Sequence, residues 1–217
     1  MKNQKCGNTK GLTLIELLVA LVICGFVIAG IYRVFVAQSK AYIVQDQVVE
    51  VQQGIRSAME ILLRDLRMAG YDSDDINSKI GISNPIIVGD HTVTVSYEYD
   101  NTTQFTVEYR LDGNTLKRRQ ITTKDDGSNT DETLDVLENV DTLDFSYGVD
   151  ANHVGAMEDY KANKWVSAAT VNADALKVVA VHVHLIARPT PVNPDLNAVT
   201  PRVLESAISL RNLSFTK

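Results

Sequence analysis

From residue 12 to residue 37 the chain is almost continuously apolar, and only Glu16 and Arg33 carry charge within that run. Polar residues with Lys2, Lys5 and Lys10 precede it. A helix needs about 20 residues to cross about 30 Å of hydrocarbon, so the run is long enough. It holds no Pro, and its Leu, Ile, Val and Ala content suits a helix that satisfies its own backbone in lipid. Past residue 37 the pattern changes without a break. Val44, Val48, Val51, Ile55, Met59, Leu62, Leu66 and Ala69 step by three or four, which is one face of a helix. Gln45, Asp46, Glu50, Gln53, Arg56, Glu60, Arg64 and Arg67 fall mostly on the other. Gly54 is the weak point, and Gly70 after a basic turn reads as a C-cap. The pattern predicts one helix from about residue 13 to residue 69, on the order of 85 Å long.

Beyond a polar stretch at 72–84 the period becomes two. Ile86-Ile87-Val88 opens a sheet. Val93, Val95, Tyr97 and Tyr99 share one face, as do Phe105, Val107 and Tyr109. Asp100-Asn101-Thr102-Thr103 and Asp112-Gly113-Asn114 make turns, and a fourth run follows at 115–123. These runs predict an antiparallel meander. Residues 124–132 read as an acidic loop. Strands are predicted at 142–147 and 176–188, the latter with Val179, Val181, Val183 and Leu185 on one face. Residues 150–175 look irregular. Pro189, Pro191, Pro194 and Pro201 mark an extended loop, and Leu204, Ile208, Leu210, Leu213 and Phe215 are candidate core residues near the end. The fold class expected is α+β: one long helix packed on an antiparallel β-rich domain. The divisions expected are 1–11 before the apolar run, 12–37 in the membrane, 38–70 amphipathic, and 71–217 globular.

Composition sharpens this. The chain has 217 residues and a net charge of −6. With three lysines ahead of the apolar run, the remainder is more acidic still, which argues against nucleic acid as a partner. Basic residues before the span place the amino terminus in the cytoplasm and the bulk across the membrane. The cysteines are Cys6 and Cys24, so the globular part must be held by an ordinary core without a disulfide.

Glu16 is the odd residue. A carboxylate in an apolar helix marks a functional site whose partner must be named. Lys10-Gly11-Leu12-Thr13-Leu14-Ile15-Glu16, followed by the apolar helix, resembles the class III signal of type IV prepilins and type II secretion pseudopilins. The resemblance implies that a prepilin peptidase cuts after Gly11, that Leu12 becomes the N-methylated terminus, and that Glu16 pairs with a neighbouring subunit's amine during assembly. Leu12 departs from the family's usual Phe, and Arg33 stands where major pilins often carry Pro. A secretory signal has a shorter apolar core and a small-residue cleavage site, which this chain lacks. A plain membrane anchor accounts for the span but not for Gly11 or Glu16. The segment from Arg56 to Tyr71 resembles the helix end of PilW-type minor pilins, which are related to J-type minor pseudopilins. The segments 143–147, 176–188 and Arg211-Asn212 resemble the same family more loosely.

Other candidate chemistry is thin. His182 and His184 project from one strand face, opposite the valines, and so toward solvent. Zinc needs a third and usually a fourth ligand, and none is evident. His91 and His153 stand alone in loops. The runs 72–75 and 125–132 are acidic but miss the calcium-loop spacing. No nucleophile elbow, phosphate loop or HExxH motif occurs. No enzyme, metal or cofactor is expected. The reading is a minor type IV pilus subunit that helps initiate or cap assembly. It lies in the inner membrane with its domain in the periplasm, and in the pilus afterwards. Its expected partners are the prepilin peptidase and, through its helix, other major and minor pilins. The alternatives are a J-type pseudopilin of a type II secretion system and a membrane-anchored periplasmic binding module or enzyme.

Overall fold

The computed structural model describes residues 11, 13–73, 78–150, 157, 165–173, 177–189 and 200–214. The periodicities become a 55-residue helix, α1 (Leu14–Met68), and eight strands. The strands are β1 (Ile86–Val88), β2 (Thr92–Asp100), β3 (Thr103–Asp112), β4 (Thr115–Lys124), β5 (Asn129–Leu137), β6 (Val140–Asp150), β7 (Lys177–Ala187) and β8 (Arg202–Ser209). Two short helices, α2 (Ala168–Ala173) and α3 (Arg211–Ser214), complete them. The chain divides into two units, Met1–Asp46 and Gln47–Lys217, so α1 contributes to both.

In the first unit the described residues from Leu14 onward are helix, with apolar side chains open on all sides. Leu14, Ile15, Phe26, Ile28, Ile31 and Phe35 are all more than 60% exposed. Within α1 lies a window of mean hydropathy 2.8, none of it buried. Length and composition fit a membrane crossing.

In the second unit the carboxyl-terminal part of α1 buries Val51, Ile55, Ala58, Met59, Leu62 and Leu66. That is the face the periodicity predicted, with Val44 and Val48 only half-buried. The strands are antiparallel, as expected, but they form two sheets. Sheet A has the order β1-β2-β3-β4-β5 and sheet B the order β6-β7-β8. Their apolar faces share one core with α1, built on Val93, Val95, Val107, Tyr109, Leu143, Tyr147, Val181, Val183 and Leu185. The β1–β2 turn joins the sheets. Tyr147 donates its hydroxyl to the Gly89 carbonyl (2.6 Å), and the Phe145 amide donates to Asp90 O (2.8 Å).

Gly70 does end the helix, with φ +70, and its N–H donates to Ser96 O at 2.9 Å. Asn212 of α3 donates its amide to the carbonyls of Arg67 (3.4 Å) and Ala69 (3.3 Å), which no intrahelical N–H can reach. Gly54 also has a reason. A Cβ there would meet Leu137 Cδ1 at 3.0 Å, so the glycine lets the end of β5 approach the helix.

Three expectations need correction. The acidic loop at 124–132 is mostly strand: β4 runs to Lys124, a turn spans 125–128, and β5 begins at Asn129. Its acids face the bases of β4. Asp131 is bonded by Arg119, and Asp135 lies 4.0 Å from Lys117, so opposite charges stabilise the pair. Tyr99 is 66% exposed rather than part of the core face. The β2–β3 register slips between Glu98 and Asp100, which breaks the alternation, and Tyr99 stacks on Phe105 instead. Glu98, on the face opposite the valines, is 1% exposed; Ser73 N–H and Ser78 Oγ donate to it at 2.5 and 2.6 Å. Within the stretch read as irregular, residues 168–173 form α2. Cys6, Asp74, Asp75, His153, Pro191, Pro194 and Phe215 lie outside the described residues.

Candidate functional site

The start of α1 is built by two side chains. Thr13 sits before the first helical residue, and its N–H and Oγ1 both donate to Glu16 Oε2 at 3.0 Å. In return the Glu16 N–H donates to Thr13 Oγ1 at 3.4 Å. This is a capping box: each residue satisfies a backbone donor that the helix leaves without a partner. The carboxylate also sits beside the positive end of the helix dipole. Gly11 lies outside the helix, exposed, with nothing within 4 Å of where a Cβ would stand. Leu12 lies outside the described residues. Glu16 is therefore held at the end of the helix that faces Gly11.

Thr13 escaped the sequence reading. Its signal was present as Thr-x-x-Glu ahead of an apolar run, the pattern of a capping box.

The histidines lie elsewhere. His182 and His184 do point away from the buried valines of β7, but that face is half-buried rather than open. His182 packs beside Trp165, ring centres 5.2 Å apart, and its Nδ1 lies 3.4 Å from Ser146 Oγ. His184 reaches Glu205 (3.5 Å) on β8 and Asp144 (3.8 Å) on β6. His91 is not alone, since its Nδ1 lies 2.8 Å from Asp144. Among the described residues no group of three or more His, Cys, Asp and Glu side chains is arranged to hold a metal ion. The His184 contacts link strands across sheet B, and the His91 contact ties the β1–β2 turn to β6.

Comparison with known proteins carries the decision. The family model for Type IV Pilus-assembly protein W matches residues 101–207, which span most of β3 to β8. The model for the prokaryotic N-terminal methylation motif matches residues 6–32, which include Gly11, Thr13 and Glu16. The chain is a type IV prepilin-like protein, most like a PilW-type minor pilin. No curated protein matches this pilin-like chain. Among solved structures it is similar to a chain in the crystal structure of the GspK-GspI-GspJ complex from the type 2 secretion system of enterotoxigenic Escherichia coli. Identity there is 16% and the TM-score is 0.40, over 74% of this chain and 97% of that one. The capping box and most of the apolar run thus lie within the matched methylation motif, and β3 to β7 with most of β8 lie within the matched pilin region.

Proposed function

We propose that this minor pilin helps initiate or cap a type IV pilus, and that Gly11, Leu12 and Glu16 carry its processing and assembly. The supporting observation is the coincidence of a non-helical Gly11, a capped helix start at Thr13 and Glu16, and an apolar helix open on all sides. A prepilin peptidase cuts after Gly11 on the cytoplasmic side and N-methylates Leu12. Before assembly the apolar helix rests in the inner membrane with the β-rich unit in the periplasm. In the filament the helices of other major and minor pilins replace lipid as its cover. The role is structural and needs no catalytic residue.

Glu16 meets two demands in turn. In the membrane its carboxylate accepts the hydrogen bonds of the Thr13 N–H and hydroxyl. On assembly it faces the new amine of a neighbouring subunit, in surroundings where low dielectric strengthens the attraction and both charges lose water. Glu16→Ala should still insert and be cleaved, since Gly11 is untouched, but should be missing from sheared filaments. Glu16→Asp keeps the charge with a shorter reach and should be intermediate. Entry of Glu16→Ala at the parent's level would refute the amine-pairing role.

The direct test is intact mass of the protein extracted from membranes that hold an active prepilin peptidase. The mass should correspond to loss of residues 1–11 and gain of one methyl group. A full-length chain would refute the reading. A deletion strain should lose pili; loss of enzyme secretion with pili intact would instead identify a pseudopilus subunit.

A further inference from the structure

β5 is the strand that its own fold covers least. Seven of its nine residues, Asn129 to Asp135, are exposed. It pairs with β4 and, among the described residues, has no neighbour on its other edge, which leaves a row of backbone donors and acceptors open. β5 is not short, holds no Pro, and keeps register with β4 from Asn129 to Asp135, so what guards the edge is charge, from Asp131, Glu132 and Asp135, and a register shift near Leu137. The row Val93–Tyr109–Arg118–Leu134 runs across four strands. Val93 and Tyr109 are at most 1% exposed, whereas Leu134 at the edge is 56% exposed. The core face of sheet A therefore runs out into solvent at β5.

Charge narrows the occupant. Residues 125–138 hold six carboxylates and no Lys or Arg. A second β5 laid against the first would set Asp131, Glu132 and Asp135 against their own kind, and like charges opposite one another destabilise a strand pair. A strand bearing Lys or Arg would be attracted. β4 shows that chemistry on the paired edge, where Lys117, Arg118 and Arg119 lie opposite Asp135, Leu134 and Thr133.

We propose that the free edge of β5 docks an extended, Lys- or Arg-bearing segment of a different pilin subunit, which joins sheet A as a sixth strand. Backbone bonds supply the affinity, an apolar side chain over Leu134 supplies the anchor, and the flanking acids select the partner. The proposal rests on the pilus-subunit reading.

The test uses the full-length chain, extracted in detergent from cells producing the major and minor pilins of the same filament. The parent should co-purify with at least one of those subunits, and the β5 amides should exchange more slowly in that complex than in the isolated chain. Glu132→Lys with Leu134→Asp should lower co-purification by about tenfold or more, as loss of a central anchor does. Cleavage after Gly11 and the unfolding temperature should be unchanged. Val203→Asp, on the exposed edge strand of sheet B, should bind as the parent does. Equal binding by parent and double variant, or unchanged β5 exchange in the complex, would overturn the proposal. So would a disulfide between two copies of Thr133→Cys in place of a contact with another subunit. A parent that is neither cleaved nor bound to any pilin would overturn the pilus reading with it, whereas a cleaved parent that fails only at β5 would leave that reading standing.

Discussion

At the scale of single residues, Asp65 shows how the second unit is locked. It projects from α1 into the core, 2% exposed. Tyr109 donates its hydroxyl to Asp65 Oδ2 at 2.7 Å, and Arg118 Nε donates to the same oxygen at 2.6 Å. Helix, β3 and β4 thus meet on one oxygen. Removing one member of a buried pair strands the other charge, so Asp65→Ala should cost about 3–5 kcal/mol in denaturant unfolding. Replacing Asp65 and Arg118 together by Leu and Met should recover most of that loss, because no charge is then left alone. Tyr109 adds a pH dependence. Burial, and then the neighbouring carboxylate, push its phenol well above the ordinary value near 10. Burial raises Tyr147 as well. A value raised by folding gives a stability contribution that is whole below the unfolded value and is lost as pH rises toward the folded one. Unfolding free energy should therefore fall as pH climbs past about 10. Tyr109→Phe should lose about 1–2 kcal/mol at neutral pH and show a shallower alkaline fall, the remainder belonging to Tyr147.

At the scale of elements, the helix end carries the sharpest prediction. Gly70 has φ +70, and a Cβ there would lie 2.4 Å from Leu213 Cδ2. Gly70→Ala combines a left-handed backbone, costing about 1–2 kcal/mol, with that collision. The loss should exceed that of Asn212→Ala, which removes only the bonds to Arg67 and Ala69; thermal melts of the two variants give the order. The elements also show what the sequence could convey. α1, its apolar face, its Gly70 cap and the strands with clean alternation were legible, because each rests on near-neighbour spacing. The start of β5 was not. Its residues are polar on both faces, and what makes them a strand is the basic row of β4, set by pairing rather than by local pattern. The burial of Glu98 had no local signal either, since its cover comes from Ser73 and Ser78. At the site, Gly11 and Glu16 were singled out by the resemblance of residues 10–16 to the class III signal and by the oddity of a carboxylate in an apolar run. The bonds that make Thr13 the partner of Glu16 came only with the geometry, although the Thr-x-x-Glu pattern announced them.

At the scale of the whole molecule, the two units face different demands. Residues of the Met1–Asp46 unit need lipid or other helices to cover them, whereas Gln47–Lys217 contains its own core. Its cohesion owes nothing to disulfides, because Cys6 and Cys24 both lie in the first unit. A fragment of residues 47–217 should therefore be soluble without detergent and unfold in one cooperative transition, indifferent to reducing agent. The helical part of that fragment cannot be trimmed. Val51, Ile55, Met59, Leu62 and Leu66 are each at most 7% exposed. Burying such side chains is worth about 1.5–3 kcal/mol apiece, so five of them contribute on the order of 10 kcal/mol. The net stability of a whole domain is about 5–15 kcal/mol. A fragment of residues 70–217 would lose that contribution and bare Val93, Val95, Val107 and Tyr109 beneath it. It should show no cooperative transition and should aggregate. A cooperative melt of the shorter fragment, at a temperature close to that of the longer one, would mean that the sheets hold themselves together and that the helix is an attachment to them.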